Sequence, residues 1–392
     1  MQATIEHLNW RGEGVSDGQT FRNVLAGEII DTATGEIIQP SAERIAPFCK
    51  YYVRCGGCQL QHWQPEPYQA WKRNLVTSAL ARRGIETPIA ALIDAHGSGR
   101  RRVSLHVRKE GGSITAGFMA ARSHELIDID QCPILAPSLQ NATDIARTLG
   151  SKLGDCDVSI TAADNGLDVA VKVERKIAEE QLPRLASLVG DLKLLRLTIN
   201  GSLVATRGMP VIAMGKGLVQ LPPGSFLQAT LAGEETLARL VLEALGKSKS
   251  VADLFCGIGP FALRLAERAK VTAVDSDKPA IASLAQVVRL TPGIKPLKAE
   301  VRDLMREPVV ASELKEFDGV VFDPPRAGAE AQARQLGKST VKTIVAVSCD
   351  PASFARDAEI LVNGGYRLKS LIPVDQFKWT SHVEIVGTFA RN

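Results

Sequence analysis

The chain lacks any apolar run long enough to cross a bilayer. Its first residues, MQATIEHLNWRGEG, hold no apolar core of a secretory signal. These absences predict a cytoplasmic protein with no membrane partner. Internal repeats and low-complexity segments are missing as well, which excludes solenoids and repeat arrays. So is an even complement of cysteines. The seven present are Cys49, Cys55, Cys58, Cys132, Cys156, Cys256 and Cys349. An odd number in a chain expected in a reducing compartment argues against a disulfide framework and for metal binding or catalysis.

The remaining composition is that of an ordinary globular protein, 45% hydrophobic and 23% charged over 392 residues, so two or three domains are expected. A net charge of +4 says little alone. Its local distribution says more. Arg100, Arg101, Arg102, Arg108 and Lys109 crowd one expected strand, and Lys72, Arg73, Arg82 and Arg83 share one expected helix. Such clusters suit a phosphate backbone, or a solvated face.

Three regions follow from the patterning. Residues 1–46 read as short strands broken by glycine, a small β domain. Residues 47–225 open with the cysteine cluster. The stretch 65–84 (PEPYQAWKRNLVTSALARRG) reads as one helix, and strands then alternate with helices near 139–152 and 178–190, an α+β region. Residues 226–392 change character. A helix over 234–246 precedes the apolar strand 250–255, and helices alternate with VTAVD, KPLKA, GVVFD and TIVAVS, which is a doubly wound α/β pattern.

The chemistry sits in this last region. SVADLFCGIGPFAL places Gly257, Gly259 and Ala262 after a strand and before a helix, where glycine lets backbone approach a nucleotide. Asp275 ends the next strand, positioned to accept both hydroxyls of a ribose. This much fits NAD or S-adenosylmethionine; Asp253 before the glycines leans toward the latter. FDGVVFDPPRAGA then puts Asp323, Pro324, Pro325 and Arg326 in a stiff turn at the carboxyl edge of the sheet, where ligands bind in such folds. TIVAVSCDPASFARD brings Cys349 to that edge from the following strand. Read alone, the cysteine is a packing residue; beside a methyl-donor site and an acidic loop it is hard to read as packing. Cys49, Cys55 and Cys58, with Cys132 far along the chain, supply four thiolates, which suit tetrahedral zinc or a [4Fe–4S] cluster. Cys156 and Cys256 have no place in that scheme and read as packing.

Together, DLFCGIGPFAL, FDGVVFDPPRAGA, AVSCDPASFARD and VDQFKWTSHVEIVGTF resemble the RNA 5-methyluridine methyltransferase family, which methylates C5 of uracil in tRNA and ribosomal RNA. CKYYVRCGGCQLQH and IDIDQCPIL resemble that family's iron–sulfur motifs, and GSFLQAT resembles its segment just before the methyltransferase core. The N-terminal strands resemble a shortened TRAM domain, the family's RNA-binding barrel. Pro260 departs from an Asn common in the family, and Lys378 from a Pro. The resemblance implies a class I, Rossmann-like methyltransferase domain, S-adenosylmethionine as donor, RNA as partner and a monomer. It implies Cys349 as the nucleophile that adds to C6 of uracil, in a pocket that favours the thiolate, and Glu384 as the base that removes the C5 proton. It implies Gln228 and Phe255, with Gly257, Gly259, Asp275 and Asp323, around the donor, and Cys49, Cys55, Cys58 and Cys132 as ligands of a closed, structural [4Fe–4S] cluster. Arg326 and the Arg100–Arg102 run are candidates for phosphate contacts. Among rivals, an amino-group methyltransferase wants an aromatic at position 326 and leaves Cys349 idle. An RNA cytosine-C5 enzyme usually carries its cysteine at the fourth-strand loop. A non-catalytic iron–sulfur RNA-binding protein has no need of Cys349 and Glu384, and nothing in the chain resembles a hydride-transfer site.

Overall fold

The computed structural model describes residues 1–391. The glycine-punctuated N-terminus forms six strands of two or three residues, paired in two antiparallel sheets. One orders Gln2–Thr4, Ile29–Asp31 and Ile37–Gln39; the other orders His7–Leu8, Gly14–Ser16 and Gln19–Phe21. Such short strands enclose only a small core around Ile5, Val24 and Ile30.

The central region builds a seven-stranded sheet in the order Leu126–Asp128, Ser113–Met119, Arg102–Glu110, Cys156–Ala163, Gly166–Lys172, Leu194–Ile199, Ser202–Thr206. Alternation along Arg102–Glu110 and Cys156–Ala163 buries Leu105, Val107, Val158 and Ile160, and helices Ala142–Leu153 and Leu182–Asp191 pack into the same core.

The C-terminal sheet has eight strands in the order Leu297–Val301, Lys270–Asp275, Ser250–Leu254, Gly319–Phe322, Thr343–Ser348, Glu384–Ala390, Arg367–Asp375, Ile93–Asp94. Its first five strands run parallel, and the central ones, Ser250–Leu254, Gly319–Phe322 and Thr343–Ser348, are buried almost throughout, as strands covered on both faces must be, whereas the edge strand Leu297–Val301 is not. Ser250–Leu254 is the point from which the order proceeds both ways, so a crevice opens at its carboxyl end. Glu384–Ala390 inserts antiparallel beside Thr343–Ser348, with Ser348 opposite Ile385. Arg367–Asp375 returns beside it, with Val374 opposite Glu384. This register brings residues 349, 376 and 384 to the edge that the crevice occupies.

Packing does not follow the boundary drawn at residue 226 from composition. Strand Ile93–Asp94 completes the C-terminal sheet. Helix Pro65–Ala81 buries Val76 and Leu80 in the core that holds Phe322, Ile344 and Phe354. Ile212, Met214 and Val219, on the hairpin Val211–Met214 and Gly217–Gln220, pack against Leu263 and Leu284. Among the described residues, no helix is long and apolar enough to cross a membrane.

Candidate active site

Strand Ser250–Leu254 ends on Phe255, which takes a φ of +62°, and Gly257 and Gly259 follow with φ of +53° and +90°. A Cβ on Gly259 would stand 2.6 Å from Leu284 Cδ1, so only glycine allows the turn to pack there. The Gly257 N–H donates to Asp275 Oδ2 at 2.8 Å and the Asp277 N–H to Oδ1 at 2.8 Å, which fixes the Asp275 carboxylate against the glycine turn. A cleft of about 60 Å³ lies above, lined by Gln228, Phe255, Gly257, Pro260 and Asp323 among others. Beneath the turn, Asp253 is fully buried with neither carboxyl oxygen bonded, and burial together with Asp323 pushes its proton affinity far above the carboxylate range. Burial thus favours its neutral form.

Cys349 follows strand Thr343–Ser348 and is half-buried. Asp350 then caps helix Pro351–Asn363, accepting from the Ala352 and Ser353 N–H groups at 3.0 and 2.8 Å, so the thiol is held between a strand end and a capped helix start. Burial and the Glu384 and Asp323 carboxyls push its thiol up to about 11, against the pull of Arg326. The thiolate-favouring pocket expected from the sequence is therefore not built by the chain alone. Two acids face the sulfur, and one arginine is too little to offset them.

Glu384 and Asp323 share that environment. Glu384 is 3% exposed; its Oε1 accepts from Gln376 Nε2 at 3.0 Å and its Oε2 has no partner. Asp323 Oδ2 accepts from Gln228 Nε2 at 3.2 Å. Burial raises both carboxyls toward neutrality, Asp323 to about 7 and Glu384 to about 8, with Asp323 adding to the rise at Glu384. Acids poised there exchange protons readily near pH 7. At the rim, exposed Arg326 donates to the His382 ring at 3.1 Å, and burial and Arg326 hold His382 down at about 4, neutral. The His382 ring stands 5.9 Å from that of Phe377, over which the Arg100 guanidinium lies at 5.8 Å. Two flat rings thus lie between two guanidinium groups along the rim.

Two expected basic clusters come apart. Within the Arg100–Arg102 run, Arg101 is buried, bonded to Glu234 at 2.5 Å and to the Gln228 carbonyl at 3.1 Å. It fixes the segment that carries Gln228 and is no phosphate ligand. On helix Pro65–Ala81, Lys72 falls on the buried stripe of Tyr68, Val76 and Leu80 and pairs with Asp375 at 2.5 Å. Arg73 donates to the Ile89 carbonyl, Arg83 pairs with Glu359, and the helix ends before Arg82. Tyr68 and Lys72 together grip both oxygens of Asp375, and Lys72 also donates to the Phe377 carbonyl at 3.2 Å. Sequence reasoning missed this grip and missed Gln376. The signal available was a polar Gln at the end of a buried strand inside VDQFKWTSHVE.

Cys49, Cys55, Cys58 and Cys132 line one cavity of about 320 Å³ together with Arg100 and Arg102. Burial pushes the Cys58 and Cys132 thiols up to about 12 and about 11. No group of three or more His, Cys, Asp or Glu side chains among the described residues is arranged to hold a metal ion. The loop is tied to the catalytic edge, since the Gln59 and Leu60 N–H groups both donate to the Trp379 carbonyl, at 2.8 and 3.1 Å. Cys156 and Cys256 are buried in two of the three large cores.

A family model described as tRNA (uracil-5-)-methyltransferase matches residues 212–391. An uncharacterized RNA methyltransferase of Brucella suis is 43% identical over 405 residues, covering 100% of this chain and 98% of that protein. The 23S rRNA (uracil(1939)-C(5))-methyltransferase RlmD of Halomonas elongata is 32% identical, covering 98% of this chain and 88% of that protein. Among solved structures, the tRNA (uracil-54, C5)-methyltransferase of Pyrococcus abyssi, in complex with S-adenosyl-L-homocysteine, shares the fold with a TM-score of 0.78 at 22% identity, over 100% of this chain and 99% of that one. A crevice at the switch point of a Rossmann-like sheet, a thiol and two acids at its edge, and end-to-end likeness to a uracil-C5 enzyme agree: the chain belongs to the RNA (uracil-C5) methyltransferase family, whose members are S-adenosylmethionine-dependent enzymes.

Proposed function

We propose that the chain methylates C5 of a uridine in ribosomal RNA through a covalent adduct between Cys349 Sγ and C6. The observation that carries this reading is the strand register, which sets Cys349 beside Glu384 and both at the edge where Asp323 and the glycine turn meet. The ribosomal substrate rests on the end-to-end relative that bears that name. C5 of uracil is a weak nucleophile. When Cys349 gives up its proton to solvent and forms the S–C6 bond, the C5=C6 electrons move onto C5 and O4. S-adenosylmethionine, when bound, would supply the electrophilic methyl group that C5 takes. Gln228, Phe255, Gly257, Gly259, Asp275 and Asp323 would hold it. Glu384, ionised, then removes the C5 proton; the C–H electrons restore C5=C6, the S–C6 bond breaks, and the thiolate is released. The target base must leave its stack to reach this edge, and the Arg326, His382, Phe377 and Arg100 rim offers the guanidinium and ring faces on which unstacked RNA settles.

We also read Cys49, Cys55, Cys58 and Cys132 as the ligands of a [4Fe–4S] cluster. Four thiols line one cavity, and burial raises the proton affinities of Cys55, Cys58 and Cys132, a penalty that bound iron would remove. A single zinc would draw the sulfurs to within about 3.8 Å of each other, given Zn–S bonds of about 2.3 Å. No group gathered to hold either ion is present among the described residues, so the choice of iron rests on the resemblance of CKYYVRCGGCQLQH and IDIDQCPIL to iron–sulfur motifs.

The test is direct. Glu384→Gln should accumulate a methylated protein–RNA adduct that survives denaturing electrophoresis, and Cys349→Ala should give none. Mapping 5-methyluridine in cells with and without the protein should show one lost ribosomal site. Adduct formation by Cys349→Ala would overturn the mechanism, and loss confined to tRNA would overturn the substrate.

A further inference from the structure

Gln376 follows strand Arg367–Asp375 and is 0% exposed. Its Nε2 donates to Gln228 Oε1 at 2.7 Å and to Glu384 Oε1 at 3.0 Å, and its Oε1 accepts from the Ala229 N–H at 2.9 Å. A primary amide has two N–H donors and one carbonyl oxygen, so both donors are in use and the oxygen is engaged. Turning the amide over would set its oxygen against two other oxygens and its NH₂ against an N–H. The orientation is therefore dictated by the partners. It also dictates the next one. Gln228 Oε1 must accept, so Gln228 Nε2 is the atom that donates to Asp323 Oδ2, at 3.2 Å. One directional chain runs Glu384, Gln376, Gln228, Asp323, with an amide donor at each carboxyl end. Glu384 Oε2 is buried and has no partner.

The fit around Gln376 is tight on every side. A Cβ on Gly233 would stand 2.5 Å from Gln376 Oε1. The residues flanking it are pinned, Asp375 by Tyr68 and Lys72 and the Phe377 carbonyl by Lys72.

We propose that Gln376 is a positioning residue of the methyl-transfer cycle: it holds Glu384 by one oxygen so that Oε2 alone faces the C5 proton, and through Gln228 it keeps Asp323 in register with that base. This rests on Glu384 being the base. The groups that act on Glu384 are Asp323 and Arg326, on the loop after strand Gly319–Phe322, and Cys349, after Thr343–Ser348. Asp323 opposes its ionisation; Arg326 and the Gln376 amide favour it. An amide has no charge of its own, so it supports the ionised base without competing for its proton.

Single-turnover kinetics on RNA separate the steps, because methyl transfer and adduct breakdown are read independently. In Gln376→Met the side chain keeps its length and loses both donors. Breakdown should slow at neutral pH by about tenfold or more, and its pH midpoint should rise by about one to two units, the equivalent of one hydrogen bond to a charged group. Methyl transfer should fall less than breakdown. Per-molecule rates and their pH midpoints do not depend on how much of the variant is folded, so a poorly folding preparation still gives an answer. Gln376→Glu, measured alongside, should raise the pH midpoint of breakdown further than Gln376→Met does, because a second carboxylate repels the first.

Equal slowing of both steps with an unmoved midpoint would reduce Gln376 to packing and overturn the inference. So would wild-type breakdown in Gln376→Met while Glu384→Gln traps the adduct. If Glu384→Gln traps nothing, the assignment of the base has failed and the role of Gln376 falls with it, an outcome distinct from the first two.

Discussion

Replacing Lys72 with Met removes a cation that lies under the catalytic edge with none of its side chain exposed. Its partner Asp375 is 2% exposed and keeps only the Tyr68 hydroxyl, at 2.7 Å. Burial already pushes the Lys72 ammonium down to about 8 despite the attraction of Asp375, so the pair gains little over a well-packed apolar substitute. Breaking it is another matter. A buried carboxylate left without its cation costs about 3–5 kcal/mol, and the Phe377 carbonyl loses its donor as well. For a folding unit of 150–250 residues, 1 kcal/mol corresponds to roughly 2–4 °C, so Lys72→Met should lower the unfolding midpoint by roughly 6–20 °C. The pair Lys72→Met with Asp375→Leu should recover much of that loss. Circular dichroism melts at pH 7 measure both. A single variant within about 2 °C of wild type, or a double variant less stable than the single, would refute the picture of a buried charge stranded by its partner's removal.

Other outcomes follow from the same geometry. Cys349→Ala should abolish turnover while S-adenosylmethionine binding, measured by calorimetry, stays nearly intact, because the thiol lies outside the glycine turn. Glu384→Gln should be more stable than wild type at pH 8–9 and nearly equal at pH 4. The folded chain keeps the Glu384 proton up to about pH 8, whereas the unfolded chain releases it near 4.5, so the wild type loses stability as pH rises through that window, by roughly 5 kcal/mol across it. Thermal melts across pH read the crossover, and a constant offset would contradict it. Purification without oxygen should yield a brown protein with about four irons per chain; a colourless protein with one zinc would replace the cluster reading with a mononuclear one. Cys58→Ser should lower stability and RNA affinity more than it lowers donor binding, read by filter binding and calorimetry.

Much of this was legible from sequence because it is local. Parallel strands buried on both faces must be apolar, and the turns that end them must carry Gly, Pro or Asp, so DLFCGIG, DPPR and SCDP announce the crevice and its thiol. The central strands showed through alternation. What stayed hidden depends on partners far away in the chain. Lys72 looks like one more surface lysine in PEPYQAWKRN until Asp375 takes it. Arg101 looks like its neighbours until Glu234 and the Gln228 carbonyl claim it. Gln376 acquires meaning only when Gln228 and Glu384 stand on either side. Strand Ile93–Asp94 is too short to leave any periodicity. The raised thiol of Cys349 was hidden for the same reason, since it is set by acids from two other strands.

Helix Pro65–Ala81 and strand Ile93–Asp94 complete a sheet whose last strand ends at Ala390. Lys72 meets Asp375 across 303 residues of chain. On a ribosome adding about 5–20 residues per second, the helix waits roughly 15–60 s for the surface it will cover. During that interval Val76 and Leu80 have no core, and the lysine between Tyr68 and Val76 keeps that face wet and less prone to association.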